Sequence, residues 1–344
     1  MRYKFYTTSE KAWDGMLEAI RNAKKSIYLE MYIFVDNTPG YDFFEMLKKK
    51  AHEGVRVKVI IDSIGSIDLK SQTVNDVRKS GVELLFFSYW LRRAHKKILV
   101  VDEKIAFIGG VNIHKVFKKW NDLQVRLEGP IVRSVIHSFA RTYALCGGTD
   151  THILGSSRKK NMFSKTKLWI LEHWQADDRV LIKKYYRESI HNAQRTIVIV
   201  TPYFAPHRWL MGALHQAVIR GVAVHILLPE YTDHWLMDRV NYFYMARLYK
   251  LGVVFYLYKE MNHAKAMLID GREGLVGSNN IDPLSFKYNI ETGVFFQEES
   301  MVGELKDIIA MWKEKSVVFD LSAKKPLWLD YLVSPLIRLF QSIL

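Results

Sequence analysis

His95, Lys97, Asp102, Gly109 and Asn112 recur in the same order and spacing as His263, Lys265, Asp270, Gly277 and Asn280. The stretches that carry them, HKKILVVDEKIAFIGGVN from His95 and HAKAMLIDGREGLVGSNN from His263, differ at most of the positions between. A lone histidine on a strand is usually a packed or surface residue; the pattern H-x-K-x4-D-x6-G-x2-N written twice is not chance. Two imidazoles let one attack phosphorus while the other protonates the leaving oxygen and then deprotonates an incoming alcohol or water. Lys97, Lys265, Asn112 and Asn280 supply charge and directed donors for phosphoryl oxygens. The chemistry this suits is phosphodiester transfer. No Cys/His cluster or EF-hand-like acidic run is written in the chain, so neither a metal nor another cofactor is expected. A catalytic imidazole needs an orienting carboxylate. Asp122, 27 residues after His95, and Glu291, 28 residues after His263, hold matching positions and take that role. Asp102 and Asp270, seven residues past the histidines, fall on the opposite strand face and are expected to hold the turn that follows.

The elements around these residues are also duplicated. RNAKKSIYLEMYIF (21–34) matches HNAQRTIVIVTPYF (191–204), EGVRVKVIID (53–62) matches RGVAVHILLP (220–229), and SGVELLFF (80–87) matches LGVVFYLY (251–258). The offsets are 170, 167 and 171 residues, with 168 for the histidines, so a whole domain is written in tandem. Within each copy, β-branched runs alternate with helical patterns and short Gly-Val turns. The expected fold is α/β: two duplicated domains, each a mixed, mostly parallel sheet flanked by helices, with one active site at their pseudo-twofold interface. Each motif reads as strand, turn, strand, which puts His95 and Lys97 on one strand face. The expected divisions are 1–150, a basic linker at 151–168, 169–320, and an amphipathic segment at 321–344.

Fifty Lys and Arg against 36 Asp and Glu give a net charge of +14, which favours a polyanionic partner, nucleic acid or an anionic membrane. The single Cys146 excludes an intramolecular disulfide and reads as a small buried residue. The N-terminal residues lack an apolar signal-peptide core and instead space Trp13, Met16, Leu17 and Ile20 for an amphipathic helix capped near Thr8 or Ser9. No stretch approaches the roughly 20 apolar residues of a membrane span, so membrane contact is expected to be peripheral. The C-terminal stripe of Trp328, Leu329, Leu332, Val333, Leu336 and Leu339, flanked by Lys324 and Lys325, fits an interfacial helix or one packed on the core. The Trp235 to Tyr249 segment fits an acyl groove or core.

The chain resembles the phospholipase D superfamily with two HKD motifs. It is most similar to bacterial cardiolipin synthases of the branch lacking N-terminal transmembrane helices. EMYIF at 30–34, RRAHKKILVVD at 92–102, GGVNI at 109–113, WNDLQVRLEGP at 120–130, TPYFAP at 201–206, GSNNIDPLSF at 277–286 and NIE at 289–291 carry the resemblance. It implies formation of cardiolipin from phosphatidylglycerol through a covalent phosphatidyl-histidine, with His95 as nucleophile and His263 as general acid and then base. The repeat symmetry leaves the opposite assignment open. It also implies a place for Glu30 near the substrate, an anionic phospholipid membrane and no nucleic acid as partner, and a peripheral position on the cytoplasmic face of the bacterial inner membrane. Hydrolysis of lipid or nucleic-acid phosphodiesters and a non-catalytic binding scaffold are the alternatives.

Overall fold

The computed structural model describes residues 2–36, 38–157, 167–174 and 179–322. The amphipathic C-terminal stripe and half of the basic stretch expected as a linker therefore lie outside the described residues. The first half runs β1 (Tyr3–Thr8), α1 (Ser9–Arg21), β2 (Ser26–Met31), α2 (Phe43–His52), β3 (Arg56–Asp62), α3 (Ser71–Lys79), β4 (Glu83–Phe87), β5 (Lys97–Val101), β6 (Ile105–Gly109), β7 (Asn121–Glu128), α4 (Val132–Leu145) and α5 (Thr151–Ser157). The second runs β8 (Leu168–Trp174), β9 (Arg179–Val180), α6 (Leu181–Asn192), β10 (Thr196–Val200), α7 (Arg208–Ile219), β11 (Ala223–Pro229), α8 (Trp235–Tyr249) and β12 (Val254–Tyr258). It continues with β13 (Ala266–Ile269), β14 (Glu273–Gly277), α9 (Pro283–Lys287), β15 (Glu291–Phe296), α10 (Glu299–Glu314) and β16 (Ser316–Val318).

Thr8 caps α1, its hydroxyl accepting from Lys11 N at 3.3 Å, and the helix buries Trp13, Met16 and Ile20 as its spacing predicts. The repeat-matched Gly54 and Gly221 end α2 and α7 at φ 84° and 83°, a left-handed turn that a side chain disfavours. The strand orders are β1-β7-β6-β5-β2-β3-β4 and β16-β12-β11-β10-β13-β14-β15-β8-β9. Among the described strands, parallel pairing is confined to β2-β3-β4 and β10-β11-β12, where a helix carries each crossover. The remaining pairs are antiparallel, so the sheets are mixed rather than mostly parallel. The motif strands turn back through Asp102 to Lys104 and Asp270 to Arg272, connections too short for a crossover. The expected linker also begins as helix: α5 starts after Asp150, whose carboxylate accepts from the backbone N–H of His152 at 3.0 Å.

Both faces of each sheet are buried. On β5, Leu99 and Val101 face an outer core with α1 and α2, while Ile98 and Val100 face a core shared between the halves. That shared core gathers Phe139 of α4, Trp312 of α10, Val294 and Phe296 of β15, and Val198 of β10. Phe5 meets Phe296 edge to face at 6.0 Å across it. The two copies are thus one packed body, held together by the apolar burial that stabilises each.

Candidate active site

Short backbone bridges join the halves where the motif strands begin. His95 N donates to Ile290 O at 3.0 Å and Ile290 N to Arg93 O at 2.8 Å; Asn121 N donates to Met261 O at 3.1 Å and His263 N to Asn121 O at 2.7 Å. Each histidine is thereby stitched beside the carboxylate of the other repeat. His95 Nδ1 lies 3.0 Å from Glu291 Oε2, and His263 Nδ1 lies 2.7 Å from Asp122 Oδ2. The matched carboxylates both meet imidazoles, and the pairing is crossed. With Nδ1 engaged, Nε2 of each ring is the nitrogen left for chemistry.

The two pairs are not equivalent. Asp122 lies against Gly110, where a Cβ would collide with its Oδ1. The matching position in the second copy is Ser278, whose hydroxyl donates to Glu291 Oε2, while Asn289 Nδ2 donates to Oε1 at 3.2 Å. A short carboxylate against glycine stands opposite a longer one held by serine and asparagine.

Lys97 and Lys265 are buried beside the histidines, and their ammoniums donate to the carbonyls of His95 and His263. Burial holds Lys97 down to about 7 and Lys265 to about 8, and the charge of Lys265 further lowers Lys97. Burial and the neighbouring Lys265 push His263 down to about 4, against the pull of Asp122. His95 is likewise lowered, by burial and by both lysines against Glu291. Burial alone would raise Asp122 and Glu291, but their histidine and lysine neighbours outweigh it and keep both below the usual carboxylate range. These shifts leave the imidazoles neutral and the carboxylates charged near neutral pH. Asn112 is buried, its Oδ1 accepting from Ile33 N at 3.3 Å, and Asn280 is buried with an Oδ1 that has no hydrogen-bond partner.

Glu30 lies elsewhere. It is fully buried, and its carboxylate sits 3.0 Å from the ammonium of Lys96, itself bonded to Ser138 O at 2.9 Å. Strand alternation turns Glu30 and Lys96 away from Lys97, so the substrate contact expected of Glu30 has no geometric support. Asp102 holds a turn as expected, but the one before β2: its carboxylate accepts from the backbone of Lys24, Lys25 and Ser26, and Asp270 does the same for Gln194, Arg195 and Thr196. The Cys146 thiol is half-buried and pushed up to about 12 by burial, which suits packing rather than attack. Among the described residues, no group of three or more His, Cys, Asp or Glu is arranged to hold a metal ion.

Sequence reasoning passed over the rings around the imidazoles. Tyr32 meets His95 edge-on at 4.6 Å; Tyr203 lies 6.3 Å and Trp120 5.4 Å from His263. In the repeat register Tyr32 aligns with Pro202 and Tyr203 with Ile33, so no matched position marks these rings.

A duplicated α/β fold with two carboxylate-oriented HKD histidines at its interface defines the phospholipase D-like class. The family described as "Cardiolipin synthase, PLD-like domain" matches residues 16–141 and 186–312, and the chain belongs to it. A cardiolipin synthase of Oceanobacillus iheyensis is 31% identical over 90% of this chain and 68% of its own length. The probable cardiolipin synthase YwiE of Bacillus subtilis is 29% identical over 88% of this chain and 64% of its own. The chain thus spans about two thirds of the length of these curated relatives. Among solved structures, a phosphatidylserine synthase of Haemophilus influenzae shares the fold at a TM-score of 0.78 and 16% identity, covering 99% of this chain and 94% of that one. A polyphosphate kinase of Porphyromonas gingivalis does so at 0.64 and 14%, covering 100% of this chain and 54% of that one.

Proposed function

We propose that the chain is a phosphatidyltransferase that makes cardiolipin and glycerol from two molecules of phosphatidylglycerol. The observation that supports it most is the crossed pair of buried histidines around two buried lysines. His95, its Nδ1 fixed by Glu291, attacks phosphorus through Nε2. The P–O bond to the glycerol headgroup breaks as the P–N bond forms, and His263 gives its proton to the departing glycerol oxygen. His263 then takes the proton from the primary hydroxyl of the second phosphatidylglycerol, whose oxygen attacks phosphorus as the P–N bond breaks. Lys97, Lys265 and the amide nitrogens of Asn112 and Asn280 donate to the phosphoryl oxygens, while the buried Oδ1 of Asn280, an acceptor without a partner, takes a hydroxyl donor of the substrate. A phosphodiester anion beside His263 offsets the lysine charge that depresses it, which loads the acid only when substrate is bound. The net charge of +14 suits a peripheral position on an anionic cytoplasmic leaflet, and no helix among the described residues is long and apolar enough to cross a membrane.

Pure protein and phosphatidylglycerol vesicles test the reading: cardiolipin and free glycerol are the expected products. Phosphatidic acid as the main product makes the protein a hydrolase, and cleavage of single-stranded DNA or RNA without a lipid product makes it a nuclease.

A further inference from the structure

Both histidines sit at one end of their sheets. Met31 pairs with Lys97, and Asp62 with Phe87, so the chain leaves β2, β3 and β4 at the end where the first motif begins, and the second copy repeats this. Asp62 draws these loops together, accepting from Ile64 N at 3.1 Å, Gly65 N at 2.9 Å and Ala94 N at 2.8 Å. At this same end apolar side chains stand in water. Ile64 and Ile67 after β3 are 50% and 77% exposed, Trp90 and Leu91 after β4 are 89% and 61%, and Trp235 and Leu236 after β11 are 68% and 48%. Trp90 and Leu91 tip a tight turn between Tyr89 and Arg92, pinned by Arg93, whose guanidinium donates to the carbonyls of both at 3.3 and 2.8 Å. Leu91 stands at φ 62°, a left-handed backbone that costs a leucine free energy. Folding alone gains nothing from a strained turn that holds tryptophan out to solvent. Exposed cations are interleaved: Arg92 follows Leu91, Lys70 follows the Ile67 loop, and Lys115 and Lys119 lie in the loop after β6. Apolar tips among lysine and arginine match the region where lipid headgroups meet acyl chains.

We propose that this rim is a membrane-docking surface, which seats the mouth of the active site on an anionic bilayer with the Trp90–Leu91 and Trp235–Leu236 tips in the headgroup region. The reason for docking rests on the lipid reading above: a headgroup phosphate reaches the histidines while its acyl chains stay in the bilayer. The surface itself is tested without turnover, by flotation with phosphatidylglycerol vesicles. The wild-type chain floats; Trp90→Ser/Leu91→Ser lowers the vesicle-bound fraction about tenfold or more, with an unchanged melting temperature because both side chains are exposed. Turnover of a short-chain phosphatidylglycerol kept monomeric stays within about twofold of wild type. Unchanged flotation of the double variant overturns the proposal, as does an equal loss on vesicles and on monomeric lipid. A fall in oligomeric state by sedimentation, with flotation kept, makes the rim an interface between copies and overturns it too. A wild-type chain that floats but yields no lipid product sinks the proposed activity and leaves the docking surface standing.

Discussion

At the scale of single residues, the proposed mechanism gives the two imidazoles unshared work. His95→Ala and His263→Ala should each lower turnover by about four orders of magnitude or more while circular dichroism stays native. Asp122→Asn and Glu291→Gln orient rather than react, and are expected to lose about a hundredfold to ten-thousandfold. Wild-type rates in either would remove the carboxylate from the site. The lysines give the pH dependence its sign. As pH rises through about 7 and then about 8, Lys97 and Lys265 of the free enzyme lose their protons and with them the charge that draws the phosphate. The value of kcat/KM should therefore fall on the alkaline side of neutrality. Once the phosphodiester anion is bound it favours the charged lysines, so kcat should hold to higher pH than kcat/KM. Coincident limbs for both parameters would show that the lysines do not titrate in the free site.

At the scale of elements, the end of β6 is the tightest point. Gly110→Ala drives a methyl into Asp122 Oδ1, so activity should fall with the His263 step impaired. Full activity in this variant would mean that Asp122 has slack the packing denies. The same elements show what was legible from sequence. The hairpins of the motifs, the amphipathic α1 and the duplicated crossovers follow from local spacing, and local spacing is what a sequence displays. The crossing of the carboxylates does not: Glu291 is 196 residues from His95, and Asp122 is 141 from His263, so each partnership is set by bridges between halves and leaves no period to read. Matching repeat positions mark the two carboxylates but do not say which imidazole each one meets. Glu30 misled for a related reason. It lies in a motif-like run, yet strand alternation puts its carboxylate on the face of Lys96 rather than that of Lys97.

At the scale of the whole molecule, the shared core makes the halves depend on each other. Phe296 is fully buried and faces Phe5 of the other half, so Phe296→Ala should cost about 3–5 kcal/mol of stability. Calorimetry should give one unfolding transition for both halves, since each half buries one face of its sheet in the core they share. Two separated transitions would mean that the shared core is not a cooperative unit. The crossed pairing also fixes an order in time. A ribosome that has made the first half has released His95, Lys97 and Asp122 without the strand that carries Glu291, and has left the core around Ile98, Val100 and Phe139 without the β15 and α10 side chains that complete it. At about 5–20 residues per second, synthesis from Phe139 to Phe296 takes about ten to thirty seconds. Through that interval the nascent chain is chemically silent and presents an apolar face to water, so birth is the moment at which this protein has most need of a chaperone.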